Sequence, residues 1–427
     1  MRKIQSGEQR KGLQMRGAIT KLKGFADLYG PELAIFKTQE VTAREIFARY
    51  GYDELRPPLL ESTSLFQRGI GQETDVVQKE MFTFQDSKGR SMSLRPEATA
   101  GVLRAAIEAG LAKPDQITRL FTIGPMFRHE RPQKGRMRQF HQINAECLGS
   151  DSPYADADLI AMLLHFLDAL GIHDLNLKIN SLGCGSCRPK YLAELRRFLD
   201  AQPEDSLCDD CKRRRQSNPL RVLDCKICTE QIAEAPRLRE FLCEDCSRHF
   251  ETVLALLNES GICYELEDRL VRGLDYYMRT TFEVVSGRIG SQTAVAGGGR
   301  YDGLVEELGG VKAPGAGFAC GMERLALLMQ APEVSKPDFF ILGLAEPCRE
   351  AGFLLAGKLR AQGYSGLLNY ASGSMKSLMR QVSRSRARYC LILGPEELAG
   401  GKIAVRNMET GEQVESSLEC VAEFLKS

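Results

Sequence analysis

Residues Leu120–Gly149 read L-F-T-I-G-P-M-F-R-H-E-R-P-Q-K-G-R-M-R-Q-F-H-Q-I-N-A-E-C-L-G. This is the pattern of two strands around a charged loop, His129–Arg136. Before the loop, Ile123, Pro125 and Phe127 alternate with Thr122, Met126 and Arg128. After it, Arg138, Phe140, Gln142, Asn144 and Glu146 share one face, and His141, Ile143, Ala145 and Cys147 share the other, because strand side chains repeat every two residues. One face of the hairpin thus presents Arg128, Phe140, Gln142 and Glu146 together. A cation, an aromatic plate, an amide and a carboxylate on a rigid sheet suit a polar ligand with a phosphate and a ring. An exposed face of an ordinary surface hairpin has the same pattern, so the hairpin alone leaves both readings open.

Working outward, Glu32–Tyr50 carries the apolar stripe of a helix (Ile35, Phe36, Ile46, Phe47), with Pro31 in the first turn and Gly51 after the end. Tyr52–Leu60 is extended. Its Pro57 and Pro58 cannot donate to a ladder, which places it at an edge or an interface. Met81–Phe84 and Met92–Arg95 flank turn residues Asp86–Gly89 as a second hairpin. Leu94-Arg95-Pro96-Glu97-Ala98-Thr99 opens a helix over Thr99–Ala109, with Glu97 and Thr99 placed to cap it. Ala155–Leu170 is an amphipathic helix stopped by Gly171, and Asp174–Asn180 is a strand. Antiparallel hairpins mixed with helices indicate an α+β layer rather than a doubly wound parallel sheet. The phosphate-loop pattern G-x-x-x-x-G-K-[ST] is absent from the sequence.

Residues 184–246 differ in character. Cys184/Cys187, Cys208/Cys211, Cys225/Cys228 and Cys243/Cys246 are four C-x-x-C pairs. Two residues between thiols let both sulfurs reach one tetrahedral ion, so the spacing points to structural Zn²⁺, with the pairing of the knuckles left open. The same stretch holds Lys212-Arg213-Arg214-Arg215 and Arg221, which suit a solvated helix face or a nucleic-acid contact, the first being the commoner case. Downstream come Leu270-Val271-Arg272-Gly273-Leu274-Asp275-Tyr276-Tyr277, a β-rich run Thr280–Val285, and Ala296-Gly297-Gly298-Gly299-Arg300-Tyr301-Asp302-Gly303. The three glycines allow backbone to approach a ligand closely, or form a sharp turn. Pro314–Leu325 is a small-residue strand running into a helix over Met322–Met329. After a linker at 331–337, strands at Asp338–Leu344, Leu367–Asn369 and Tyr389–Leu393 alternate with helices at 347–362 and 374–386, an α/β pattern. The helix Ser374–Arg388 carries Lys376, Arg380, Arg384, Arg386 and Arg388, the best local candidate for an RNA-facing surface.

The chain has 427 residues, enough for two or three domains. With 57 basic and 56 acidic residues, net charge carries no global nucleic-acid signal. No apolar run reaches membrane-spanning length, and the polar N-terminus lacks an apolar signal core. Fourteen cysteines without such a signal suggest a reducing, cytoplasmic location. Cys147 is given no role, and Cys263, Cys320, Cys348, Cys390 and Cys420 are expected as small core residues.

These blocks together resemble a known family. F-R-H-E-R-P-Q-K-G-R-M-R-Q-F resembles the second motif of class II aminoacyl-tRNA synthetases, and G-F-A-C-G-M-E-R-L resembles the third. Segment 32–62 sits where the looser first motif belongs. R-G-L-D-Y-Y, A-G-G-G-R-Y-D-G-L and L-R-P-E-A-T look like blocks of histidyl-tRNA synthetases, and the resemblance runs from about Lys21 to the C-terminus. It implies an antiparallel-sheet catalytic core in two parts (17–182 and 263–330), a Cys-rich insertion domain (183–262) and a C-terminal α/β anticodon-binding domain (338–427); residues 1–16 ahead of it read, by composition, as a flexible basic tail. It further implies a homodimer built partly through the first motif, with tRNA-His, L-histidine and ATP with Mg²⁺ as partners. By the same resemblance, Arg128 and Arg272 are catalytic cations at the α-phosphate. Arg128, Glu130, Phe140 and Arg324 bind ATP, and Glu97, Ala98, Thr99, Gln142, Glu146, Tyr276 and Tyr277 bind histidine. The zinc reading of the thiol pairs rests on spacing and not on the resemblance. Two other readings remain: a synthetase-like regulatory subunit of ATP phosphoribosyltransferase, and a zinc-ribbon nucleic-acid-binding protein that uses the core as a scaffold.

Overall fold

Phe47 shows how the main sheet is held together. It is fully buried, and its ring meets those of Phe121, Phe166 and Phe318 at centroid distances of 5.4, 5.5 and 5.8 Å. Burying each such side chain contributes roughly 1.5–3 kcal/mol. The cluster fastens the helices Gly30–Arg49 and Pro153–Ala169 to one face of a sheet. These are the helices expected around Ile35/Phe47 and after Ala155. Gly51 and Gly171 follow them with φ of 75° and 72°, a backbone that glycine adopts without strain.

The computed structural model describes residues 19–426 except 73, 115, 134, 291–293, 333 and 334. The basic tail expected over 1–16 lies outside the described residues, as do two residues of the 331–337 linker and Lys134 of the charged loop. The chain divides into two units, Met1–Pro332 and Glu333–Ser427.

In the first unit, eight strands form one sheet: β1 Asp53–Glu54, β2 Thr118–Phe127, β3 Gln139–Leu148, β4 Asn176–Ser181, β5 Glu265–Leu266, β6 Met278–Val285, β7 Ala294–Arg300 and β8 Gly315–Gly321. Their order is β1-β2-β3-β8-β7-β6-β4-β5. The pairings are antiparallel except at the two edges, where β1/β2 and β4/β5 run parallel. A three-stranded sheet (Leu60–Ser62, Thr83–Gln85, Ser91–Leu94) precedes the helix Thr99–Glu108. Between β4 and β5 the cysteine-rich insertion contributes the helices Arg188–Asp200, Asp209–Ser217 and Glu244–Glu259.

Register decides which side chains share the open face. Asn144 on β3 pairs with Ala319 on β8, Ala319 with Gly297 on β7, and Gly297 with Glu283 on β6. One row further, Glu146 pairs with Gly317, Gly317 with Gly299, and Gly299 with Thr281. The run Gly297–Gly299 is therefore the middle of a central strand, and not the sharp turn that was one of its two readings.

In the second unit, β9 Phe339–Gly343, β10 Gly366–Leu368, β11 Tyr389–Leu393, β12 Lys402–Asn407 and β13 Gln413–Ser417 lie in the order β10-β9-β11-β12-β13. The first three are parallel, as their alternation with the helices Glu346–Ala361 and Met375–Ser385 suggests. The last two are antiparallel and extend the α/β pattern read from sequence. Lys376, Arg380, Arg384, Arg386 and Arg388 are all exposed. Cys320, Cys348 and Cys390 are core residues as expected, but Cys263 and Cys420 are exposed: Cys263 lies in the connection from the helix Glu244–Glu259 to the edge strand β5, and Cys420 precedes the short helix Val421–Leu425. No described helix is long and apolar enough to cross a membrane.

Candidate active site

The face of the sheet opposite the Phe47 cluster is notched by glycine. A β-carbon on Gly297 would come within 2.7 Å of the guanidinium carbon of Arg272, and one on Gly299 within 3.0 Å of the Tyr277 ring. On the neighbouring strand, a β-carbon on Gly315 would meet the Tyr301 ring at 2.5 Å, and one on Gly317 the carboxyl carbon of Glu146 at 2.8 Å. Alternate positions on β7 and β8 are thus empty of side chain, and side chains from elsewhere lie in the space. One of the two readings of Gly297–Gly299 had glycine admitting a ligand; in the structure Gly297 and Gly299, like Gly315 and Gly317, first admit the protein's own side chains.

Over this floor lies a cleft of about 430 Å³. It is lined by Glu97, Thr99, Arg128, Glu130, Phe140, Gln142, Arg272, Tyr276, Tyr277 and Arg324, ten of the residues singled out from sequence. Ala98 is buried at the head of the helix Thr99–Glu108 and does not line the cleft. Glu146 lies under the floor, 1% exposed.

Each group is held by a local cause. Arg128 follows directly on β2, its backbone N–H bonded to the carbonyl of Arg138 at 2.9 Å, so it faces the same way as Phe140. Its Nε donates to the carbonyl of Pro96 at 2.9 Å, and its guanidinium sits 5.3 Å from the Phe140 ring centre. Arg272 donates to Glu283 at 2.9 Å and lies over the Tyr277 ring at 5.7 Å. Burial works against the charge on Arg272, but Tyr277 and Glu283 outweigh it and favour the charged form. Arg324 donates from Nη1 to the carbonyl of Ala294 at 2.6 Å, and Glu130 pairs with Arg136 at 3.4 Å. Burial pushes the Glu130 carboxyl above its usual value.

The carboxylate of Glu97 accepts the backbone N–H groups of Thr99 and Ala100 at 2.7 and 2.9 Å. It is a cap and a cleft-lining group at once. Thr99 donates from its hydroxyl to Glu146 at 2.8 Å, and the Tyr301 hydroxyl donates to the other Glu146 oxygen. Burial raises the Glu146 carboxyl to about 8, against the pull of these two hydrogen bonds. Among the described residues, three buried polar atoms of the cleft have no hydrogen-bond partner: Gln142 Oε1, Asn144 Oδ1 and Arg272 Nε. Each such atom costs roughly 1–3 kcal/mol, a deficit that a polar ligand removes.

Tyr301 and Glu283 were missed as site residues by sequence reasoning. Tyr301 stood in the Gly-rich block, and Glu283 alternates along β6, but only the strand order brings either to Glu146 or Arg272.

The four thiol pairs form two clusters. Cys184 and Cys187 meet Cys243 and Cys246, while Cys208 and Cys211 meet Cys225 and Cys228. Sulfur–sulfur distances are 3.6 Å (Cys184–Cys187), 3.9 Å (Cys184–Cys243) and 3.8 Å (Cys208–Cys225). A tetrahedral ion with bonds of about 2.3 Å to sulfur sets edges of about 3.8 Å, whereas a disulfide needs about 2.0 Å. The donor set and its spacing fit a soft divalent ion. Burial opposes ionisation of Cys184, but the backbone N–H groups of Ser186 and Cys187 outweigh it and bring the thiol down to about 6. Cys225 falls to about 7 in the same way.

The sequence profile of the family described as histidyl-tRNA synthetase matches residues 24–325. The chain belongs to the histidyl-tRNA synthetase family. An anticodon-binding domain profile matches residues 338–427. The histidine–tRNA ligase of Nitratidesulfovibrio vulgaris is 56% identical over 406 residues, 95% of this chain and 97% of that protein. That of Oleidesulfovibrio alaskensis is 56% identical over 94% of this chain and 97% of its own length. The crystal structure of apo S. aureus histidyl-tRNA synthetase superposes with a TM-score of 0.80 at 34% identity, covering 96% of this chain and all of that one. Within this synthetase family, the α+β fold with an antiparallel core sheet, expected from the hairpins, is the fold observed.

Proposed function

We propose that this chain is a histidine–tRNA ligase that condenses L-histidine with ATP to histidyl-adenylate and passes the histidyl group to tRNA-His. What carries the reading is one cleft that holds the guanidinium groups of Arg128 and Arg272 beside an aromatic plate, above a buried carboxyl held by two hydroxyls. In the first step a histidine carboxylate oxygen attacks the α-phosphorus and pyrophosphate leaves. Two anions must meet, so catalysis consists of positioning and charge neutralisation. Arg128 and Arg272 supply fixed positive charge to the carboxylate and the α-phosphate. Phe140 offers its ring to adenine, Glu130 accepts from the adenine amino group, and Arg324 closes the other side. Mg²⁺ enters with the ATP phosphates as part of the substrate.

The imidazole ring has two nitrogens to satisfy. Glu146, braced by Thr99 and Tyr301, takes one, and Tyr277 takes the other. Glu97, Thr99 and Gln142 receive the α-amino group, and Tyr276 lines the pocket. A site built this way discriminates against rings that leave a buried partner unpaired.

We read both thiol clusters as Zn²⁺ sites, with Cys184, Cys187, Cys243 and Cys246 in one and Cys208, Cys211, Cys225 and Cys228 in the other. We read the segment 32–62 as a homodimer surface. Tyr29, Val41, Leu59 and Leu60 in or beside it are 74, 53, 42 and 38% exposed, apolar side chains that a second copy would cover.

The regulatory-subunit reading is weaker, because an anticodon-binding domain follows the core. The experiment that separates them is ATP–pyrophosphate exchange. Histidine-dependent exchange together with charging of tRNA-His is expected; exchange that ignores histidine removes the proposal.

A further inference from the structure

The two thiol clusters are nested, and the chain between the inner pairs does something specific. From Cys208 to Cys228 it forms the nine-residue helix Asp209–Ser217 and the turn Pro219–Val222. Besides apolar packing of Val222 and Leu223, polar and close contacts carry this segment onto the core. Arg214 pairs with Asp75 at 2.8 Å, and Asn218 donates to Asp275 at 3.0 Å. The Arg221 guanidinium lies 3.6 Å from where a β-carbon on Gly273 would stand. Gly273 and Asp275 belong to the loop that delivers Arg272, Tyr276 and Tyr277, and Arg221 and Asp224 themselves line the cleft.

At its C-terminal end the segment buries Val222 and Leu223 in the apolar cluster that also holds Val271 and Tyr277, but its helix has little such anchorage. Its helix buries one side chain, Cys211, and is otherwise polar and charged. A helix this short is marginal in water without tertiary support. Cys208 is its N-cap residue, and Cys225 directly follows Asp224, so the four thiols bracket the segment at both ends. The other cluster sits beside a helix with its own apolar packing, Tyr191, Leu195 and Leu199.

We propose that the cluster Cys208/Cys211/Cys225/Cys228 binds a zinc-class divalent ion, and that its occupancy sets whether Arg214 docks the segment on Asp75 and Asn218 and Arg221 hold the Gly273–Tyr277 loop in its working position. Metal loading of the insertion thereby controls amino-acid activation in the core. On binding, each thiol releases its proton and lends a sulfur lone pair to the ion, with no change of oxidation state. Asn218 is a positioning residue that acts through the loop, and Arg214 one that acts by fixing the segment to Asp75. This inference rests on the activation chemistry proposed above.

The test uses the full chain and three proteins. Elemental analysis and cobalt substitution, read through thiolate-to-cobalt absorption, should find two ions in the wild type and one in Cys208→Ser/Cys211→Ser. Histidine-dependent pyrophosphate exchange in that variant should fall about tenfold or more in kcat/KM. Arg214→Ala/Asn218→Ala should keep both ions yet lose kcat/KM in the same direction, with the loss in kcat and in histidine KM rather than in ATP KM. The inference is overturned if the cysteine variant keeps both ions, or loses one while activation stays within about twofold of wild type. Unchanged activation in the docking variant overturns it as well, and decides alone if the cysteine variant does not fold. A wild type that loads metal but shows no histidine-dependent exchange instead sinks the activation chemistry.

Discussion

The guanidinium of Arg272 occupies the place where Gly297 lacks a side chain, with a would-be β-carbon only 2.7 Å from its central carbon. The two residues are 25 positions apart in sequence, and their strand and loop meet only in the folded sheet. Arg272 is thereby pinned between Glu283 and the Tyr277 ring on the cleft floor.

Gly297→Ala should displace this cation without unfolding the protein. Losing one fixed charge at a transition state costs about 10²–10³ in rate, and a displaced one should cost about 10². Adenylation in Gly297→Ala should fall by that order, with circular dichroism unchanged. Arg272→His should behave alike, losing rate far more than histidine affinity. Single-turnover pyrophosphate release with histidine titration makes the comparison; equal losses in rate and binding would contradict the fixed-cation role.

Tyr301→Phe tests the brace on Glu146. The change removes one hydroxyl and leaves a buried carboxyl oxygen without its donor, worth roughly 1–3 kcal/mol. We expect KM for histidine to rise by about tenfold or more while KM for ATP stays within about twofold. A parallel rise in both constants would place Tyr301 in the general packing of the core.

Stability should report the unusual acidity of Glu146. Its carboxyl titrates near 8 in the fold, against an ordinary 4.5. Between those values the native chain holds a proton that the unfolded chain has released, so the native state binds more protons and stability falls as pH rises. The contribution is complete below about 4.5, declines by at most about 1.4 kcal/mol per pH unit, and is lost above about 8. Glu146→Gln has no such proton. Calorimetric melting at about pH 5 and about pH 8.5 should therefore show wild type losing stability relative to the variant at the higher pH. A difference independent of pH would mean that Glu146 ionises normally.

The basic helix of the second unit should matter for tRNA and not for activation. Lys376, Arg380 and Arg384 lie exposed along Met375–Ser385, where charge acts on a polyanion. Arg380→Glu/Arg384→Glu is expected to weaken tRNA-His charging about tenfold or more, with pyrophosphate exchange unchanged and the defect larger at low salt. Equal charging by variant and wild type would move the RNA-facing surface elsewhere.

Much of the fold was legible because the signals are local. The helix around Ile35 and Phe47, the hairpin at Asp86–Gly89, the capped helix after Glu97 and the strands flanking His129–Arg136 all follow from residue spacing and turn chemistry. Two alternatives were settled by contacts that spacing does not encode. Gly297–Gly299 became a central strand, because its neighbours β6 and β8 supply both ladders. The cysteine knuckles paired in a nested order, which depends on which distant pairs meet in the fold. Cys263 and Cys420 were misread, since a lone apolar residue says little about whether anything will cover it.

By itself, the sequence determined that a strand pair would carry Arg128, Phe140, Gln142 and Glu146 on one side. A period of two is a property of the extended chain and needs no partner. Only the tertiary structure decided that Phe140 and Gln142 would line an open cleft while Glu146 sank beneath it, held by Thr99 and Tyr301. Depth is set by what crosses the strand. Gly317 leaves the space that Glu146 fills, and the desolvation there turns an ordinary carboxylate into a group that keeps its proton near neutral pH.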